Sequence, residues 1–144
     1  MMLYLRDFLC CLVATAAFCL LMRAPRRTIP FTALTAALGW MLYDLLRLEA
    51  GTELGGYFAA ALFVALCAEF GARRARCPAL LFLFPALIPY VPGVGLYETM
   101  LHMAAGSFLP MLQSGVRTLL IAGTIAAAVA IVNLIFSLRR PPVR

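Results

Sequence analysis

Long apolar runs without a charge, separated by short charged punctuation, set the pattern of this chain. Phe8 to Met22 is the first, between Asp7 and the cluster Arg23, Arg26, Arg27. Thr28 to Tyr43 is the second, with Pro30 placed where a first helical turn tolerates it. A mixed-charge loop holding Asp44, Arg47, Glu49 and Glu53 follows, then a third run from Leu54 to Ala68 that closes on Glu69 and the cluster Arg73, Arg74, Arg76. The last run, Thr118 to Leu138, is 21 residues between Arg117 and Arg139 and is the cleanest. Flanking residues whose polar heads snorkel bring the shorter runs to the roughly 20 residues a membrane crossing needs. The expected spans are about 5–22, 28–46, 54–71 and 117–138. A signal sequence is the rival reading of the first run, but its basic cluster follows the apolar core instead of preceding it.

The stretch from Cys77 to Val116 differs from these. Its centre, Phe84-Pro-Ala-Leu-Ile-Pro-Tyr-Val-Pro-Gly-Val-Gly-Leu-Tyr-Glu-Thr-Met100, is apolar enough for a bilayer, yet Pro85, Pro89, Pro92, Gly93 and Gly95 prevent one continuous helix. Irregular backbone in hydrocarbon leaves polar groups unpaired, so it survives only where protein surrounds it or where it lines a cavity. This predicts a broken span over about 78–111, with half-helices at Pro78 to Ile88 and Leu96 to Leu109 around an extended Pro89 to Gly95 linker, and with the break near mid-membrane. It also makes the break the candidate site.

Composition fixes the class. With 65% hydrophobic and 12% charged residues and a mean hydropathy of +0.98, 144 residues cannot cover a soluble core, so the chain reads as one all-α integral membrane domain, 1–144. Twelve arginines and no lysine carry the net charge of +6. They sit in clusters between apolar runs and read as topology signals, not as a nucleic-acid face. One crossing of the broken stretch gives five spans and puts nine arginines inside and three outside; two crossings weaken the split to seven against five. Five spans follow, the fourth broken, with the N-terminus outside and the C-terminus cytoplasmic in a bacterial inner membrane. Tyr4, Trp40, Tyr43 and Tyr57 then form an outer aromatic belt. Five cysteines in apolar settings read as small buried hydrophobes.

Candidate chemistry is sparse. Glu98 is the one acid inside the broken stretch, and His102 lies four residues on, on the same helical face. They are either a proton-coupling pair facing a cavity or a first-turn cap and an interhelical hydrogen bond. The helix restarting after Gly93 and Gly95 presents unpaired first-turn amides, at about Val94 to Glu98, as a cradle for a carboxylate, with Tyr97 within reach of it. Asp44 and Glu69 read as boundary residues, Arg117 as an interfacial arginine or one that helps attract an anion from outside, and Thr124 and Asn133 as interhelical hydrogen-bond formers. Small residues spaced by four, Gly55/Ala59, Gly56/Ala60, Gly123/Ala127 and Ala126/Ala130, would permit close helix approach. No nucleophile with a base, metal-ligand cluster or phosphate loop is visible, so no enzyme, cofactor or metal is expected.

At Pro89-Tyr-Val-Pro-Gly-Val-Gly-Leu-Tyr97, followed by Met100, the sequence resembles the threonine/serine exporter (ThrE) superfamily, most of all its short YjjB-like membrane subunits. The pattern Pro-x-x-Pro-Gly-x-x-x-Tyr falls on Pro89, Pro92, Gly93 and Tyr97. The resemblance implies export of small carboxylate-bearing metabolites, threonine and serine or dicarboxylates such as succinate, together with a second, separately encoded membrane subunit. It gives no support to Glu98 or His102. Five spans without an internal repeat are few to enclose a pathway, which also points to a partner chain or a homo-oligomer. The rivals are a homo-oligomeric channel or holin-like pore, and a non-transporting assembly subunit.

Overall fold

The computed structural model describes residues 2–138, all of its regular structure helical. Arg139 to Arg144, with the basic tail, and the side chains of Tyr4 and Glu49 lie outside the described residues. In order come α1 (Met2–Leu21), α2 (Ile29–Ala50), α3 (Glu53–Ala75), α4 (Leu80–Leu87), a 3-10 turn (Ile88–Tyr90), α5 (Gly93–Ala104) and α6 (Phe108–Leu138).

The punctuation ends the helices by identifiable chemistry. After α1 the Ala24 amide bonds the Cys19 carbonyl and the Arg23 amide bonds Leu20, with Arg23 left-handed at φ 53°. This is the paired-bond C-terminal turn that usually takes glycine. Arg76 ends α3 in the same conformation, φ 54°. Gly51 after α2 and Gly106 after α5 fill the left-handed place with the residue best suited to it.

α1 packs against α2 and α2 against α3, and α4 is inserted among α1, α2, α3 and the 3-10 turn. α6 closes the bundle along α3. Two contacts fix the ends of that pair. Arg73 lies 4.5 Å from the Phe136 ring centre, and Arg117 pairs with Glu53. Phe31, at the start of α2, meets Phe82 of α4 edge to face at 5.9 Å, so the starts of α2 and α4 lie at the same end as Arg73. α2, α3 and α6 are each long and apolar enough to cross a membrane, and α4 with α5 make a fourth if the pair, bent by 52°, is one span. The protein is thus a multi-pass helical membrane protein. The fifth crossing rests on α1, whose described residues do not reach that measure.

Several features differ from the sequence reading. The half-helix expected over Leu96 to Leu109 ends at Ala104, where Gly106 turns the chain and Phe108 opens α6. α6 therefore starts nine residues before Arg117 and runs 31 residues, about 46 Å at 1.5 Å per residue against a hydrocarbon core of about 30 Å. From Arg117 to Phe136 it runs along α3, and from Thr118 back towards its start it packs against α5, forming a helical hairpin. None of the α5 side chains is buried. Glu69, expected at the boundary, is buried at 4% exposure. Thr124 bonds the Leu120 carbonyl of its own helix, not a neighbour. Of the small-residue pairs, Gly56/Ala60 is used in packing: Ala60 is fully buried, and a Cβ on Gly56 would stand 3.0 Å from the Tyr43 ring. Gly123 faces open space. Among the cysteines Cys11 and Cys19 are buried, whereas Cys10 is exposed.

Candidate functional site

Tyr90 anchors the break. It is 1% exposed and its hydroxyl donates to the Ala36 carbonyl at 2.8 Å, across a bare Gly39 whose Cβ would stand 2.4 Å from that hydroxyl. A buried phenol needs such a partner, and glycine supplies the room. Ala36 and Gly39 lie in the first half of α2, so the helix of the fourth segment stops part-way along the bundle, as Pro89 and Pro92 require.

Beyond Tyr90 the chain extends through Val91 and restarts at Gly93. The Gly93 amide bonds Val91 and the Leu96 amide bonds Pro92. Among the described residues no carbonyl accepts from Val94 or Gly95. The first-turn donors are thus narrower than the sequence suggests: two amides at the positive end of α5. The two glycines have different uses. Gly93 faces open space, whereas a Cβ on Gly95 would stand 2.3 Å from the Thr118 hydroxyl. Gly95 brings α5 onto α6; Gly93 leaves the backbone bare.

A cavity of about 680 Å³ opens at this point. Pro89, Pro92, Gly93 and Gly95 form one wall and Glu98 stands above them; Gln113, Ser114, Arg117 and Thr118 of α6 face them, and Trp40, Glu53 and Tyr57 close the side. Trp40, Tyr43, Tyr57 and Tyr90 are linked ring to ring, with centroids 4.4–5.7 Å apart, and stiffen that side. Arg117 reaches Glu53 Oε2 with both Nε, at 3.0 Å, and Nη2, at 2.5 Å. Those two bonds engage two of the five guanidinium donors. Glu98 makes no ion pair among the described residues. The chamber thus joins hydrogen-bond donors, acceptors and hydroxyls in a largely apolar protein.

Of the residues singled out from sequence, Pro89, Pro92, Gly93, Gly95 and Glu98 meet here. Tyr97 does not: it is 64% exposed on the other face of α5, and His102 also lies outside the lining. Arg117 lines the chamber as well, whereas Glu53, Gln113, Ser114 and Thr118 were not legible as site residues. Glu53 and Arg117 are 64 positions apart, and no local pattern announces their pairing.

A helical bundle long and apolar enough to span a membrane, with a polar chamber at a broken helix, is an arrangement that transport proteins use. The comparisons give the family: the profile described as "Threonine/Serine exporter, ThrE" matches residues 7–135, and the chain belongs to that family of transporters. An uncharacterized protein of Haemophilus influenzae is 27% identical over 152 residues, covering 99% of this chain and 51% of that protein. The chain thus spans about half the length of that relative. No solved structure matches.

Proposed function

We propose that the chain is a subunit of a membrane exporter for small carboxylate-bearing metabolites, threonine and serine or dicarboxylates such as succinate, acting with a second membrane subunit. The observation that carries this reading is the chamber at the break, where Arg117 and the Val94 and Gly95 amides offer donors to a carboxylate beside Glu98. Family membership supports transport. The bare backbone at Gly93 lets a substrate approach those amides closely. In this reading the chain lies in a bacterial inner membrane with the N-terminus outside and the C-terminus cytoplasmic.

Glu98 gives the chamber a proton-responsive acid. A neutral Glu98 leaves the amides to the substrate, and an ionised one competes for them, which couples release to protons. His102, one turn along α5, acts on the chamber only through its charge. The test is efflux of labelled serine, threonine and succinate from cells with and without the chain, and with Glu98→Gln. The exporter reading requires chain-dependent efflux; a flat pH profile in the glutamine variant supports coupling, and an unaltered profile removes Glu98 from the mechanism. Co-purification with a larger membrane subunit tests the partnership, and full activity of the purified chain alone would overturn it.

A further inference from the structure

We propose that Glu53 is a specificity-determining residue: held on Arg117, its carboxylate cancels the guanidinium charge, so that the chamber accepts an amino-acid zwitterion in preference to a dicarboxylate. This deepens the reading of the chamber as a carboxylate site and rests on it. The two residues come from different helices, α3 and α6, and both line the chamber. Nε and Nη2 of Arg117 converge on a single Glu53 oxygen, Oε2. Three guanidinium donors remain, two of them on Nη1, so the fork keeps its directional bonds for a substrate carboxylate while its net charge is neutralised. The other charged group among the described lining residues, Glu98, is an acid, so no second cation stands ready there to hold a second carboxylate.

Net charge separates the two substrate types. A zwitterion carries none, and its carboxylate and ammonium feel a uniform change of chamber potential in opposite senses. A dicarboxylate carries two negative charges that feel it in the same sense. Removing the Glu53 charge therefore strengthens dicarboxylate binding much more than amino-acid binding. For one unit of charge several ångströms away in a partly hydrated chamber, the selectivity shift is on the order of tenfold.

The experiment measures export of labelled serine and labelled succinate side by side in the native cell. Glu53→Gln is expected to shift the serine-to-succinate ratio toward succinate by about tenfold, and Glu53→Asp, which keeps the charge, should restore the original ratio. Gln113→Lys adds a unit of positive charge at the same lining while leaving the ion pair in place, and it must shift the ratio in the same direction. It keeps the proposal testable where Glu53→Gln fails to accumulate in the membrane. An unchanged ratio in Glu53→Gln, or in Gln113→Lys where Glu53→Gln does not accumulate, overturns the role of Glu53 and leaves the chamber as the carboxylate site. Wild-type export from an Arg117→Gln variant overturns instead the chamber as the carboxylate site, and with it the proposed function.

Discussion

Replacing Gly95 with alanine tests the helix contact that shapes the chamber. The new Cβ would lie 2.3 Å from Thr118 Oγ1, 3.4 Å from its Cβ and 3.5 Å from its Cγ2. Relief to an ordinary separation requires a shift of about 1 Å or more. The hydroxyl cannot swing away freely, because it donates to the Ser114 carbonyl at 2.7 Å. Overpacking of this kind costs about 1–3 kcal/mol, offset by up to about 1 kcal/mol from the better helix propensity of alanine. Thr118→Ala alone removes a methyl and a back-bonded hydroxyl, a loss of about 1 kcal/mol. In the double variant the nearest remaining Thr118 atom is the one at 3.4 Å, an ordinary contact. The two substitutions should therefore be strongly non-additive, with a coupling of about 1–2 kcal/mol in favour of the pair. The assay is the stability of the four proteins of the cycle in detergent, followed by loss of the monodisperse peak on heating. Additive losses would refute the contact as the reason for glycine here.

Gly93→Val adds its side chain to open space in the chamber, so it should abolish export at unchanged membrane level and stability; intact export would remove the bare backbone at Gly93 from the mechanism. Arg76→Gly relieves a left-handed arginine and should raise stability by about 1 kcal/mol, and an unchanged melting temperature would show that the turn carries no such strain. A reporter fused after Arg144 should be cytoplasmic and one inserted at the Gly51–Thr52 turn between α2 and α3 exposed outside; an external C-terminus would sink the five-crossing topology.

The apolar runs and their arginine punctuation marked α1, α2, α3 and the end of α6 within a few residues, because hydropathy and charge are local properties. Pro89, Pro92 and Gly93 likewise marked the break, since each limits the backbone by its own geometry. The turn at Gly106 and Ser107 was also written in the chain, as a glycine followed by a helix-capping type of residue and Pro110, but its apolar surroundings hid it. What the sequence could not provide was neighbourhood. Gly95 and Gly93 look equivalent two positions apart, and only the approach of Thr118 assigns one to packing and the other to the chamber. Tyr97 fits the motif by spacing yet faces away, and Arg117 resembles any interfacial arginine until Glu53 is seen beside it.

The length of α6 has a mechanical consequence. It is one uninterrupted rod of 31 residues, held near one end by the Arg73–Phe136 contact, and few of its residues are buried: Thr118, Ile121, Ala128 and Val132. From Phe136 to Thr118 the lever arm is about 27 Å. Pivoting the rod by about 10° at its arginine end would carry Thr118 and Arg117 about 5 Å sideways, enough to part the guanidinium from Glu53 and to change the width of the opening between α5 and α3. The hairpin beyond Arg117 would sweep further still, so a force applied at its tip has the greatest leverage on the chamber.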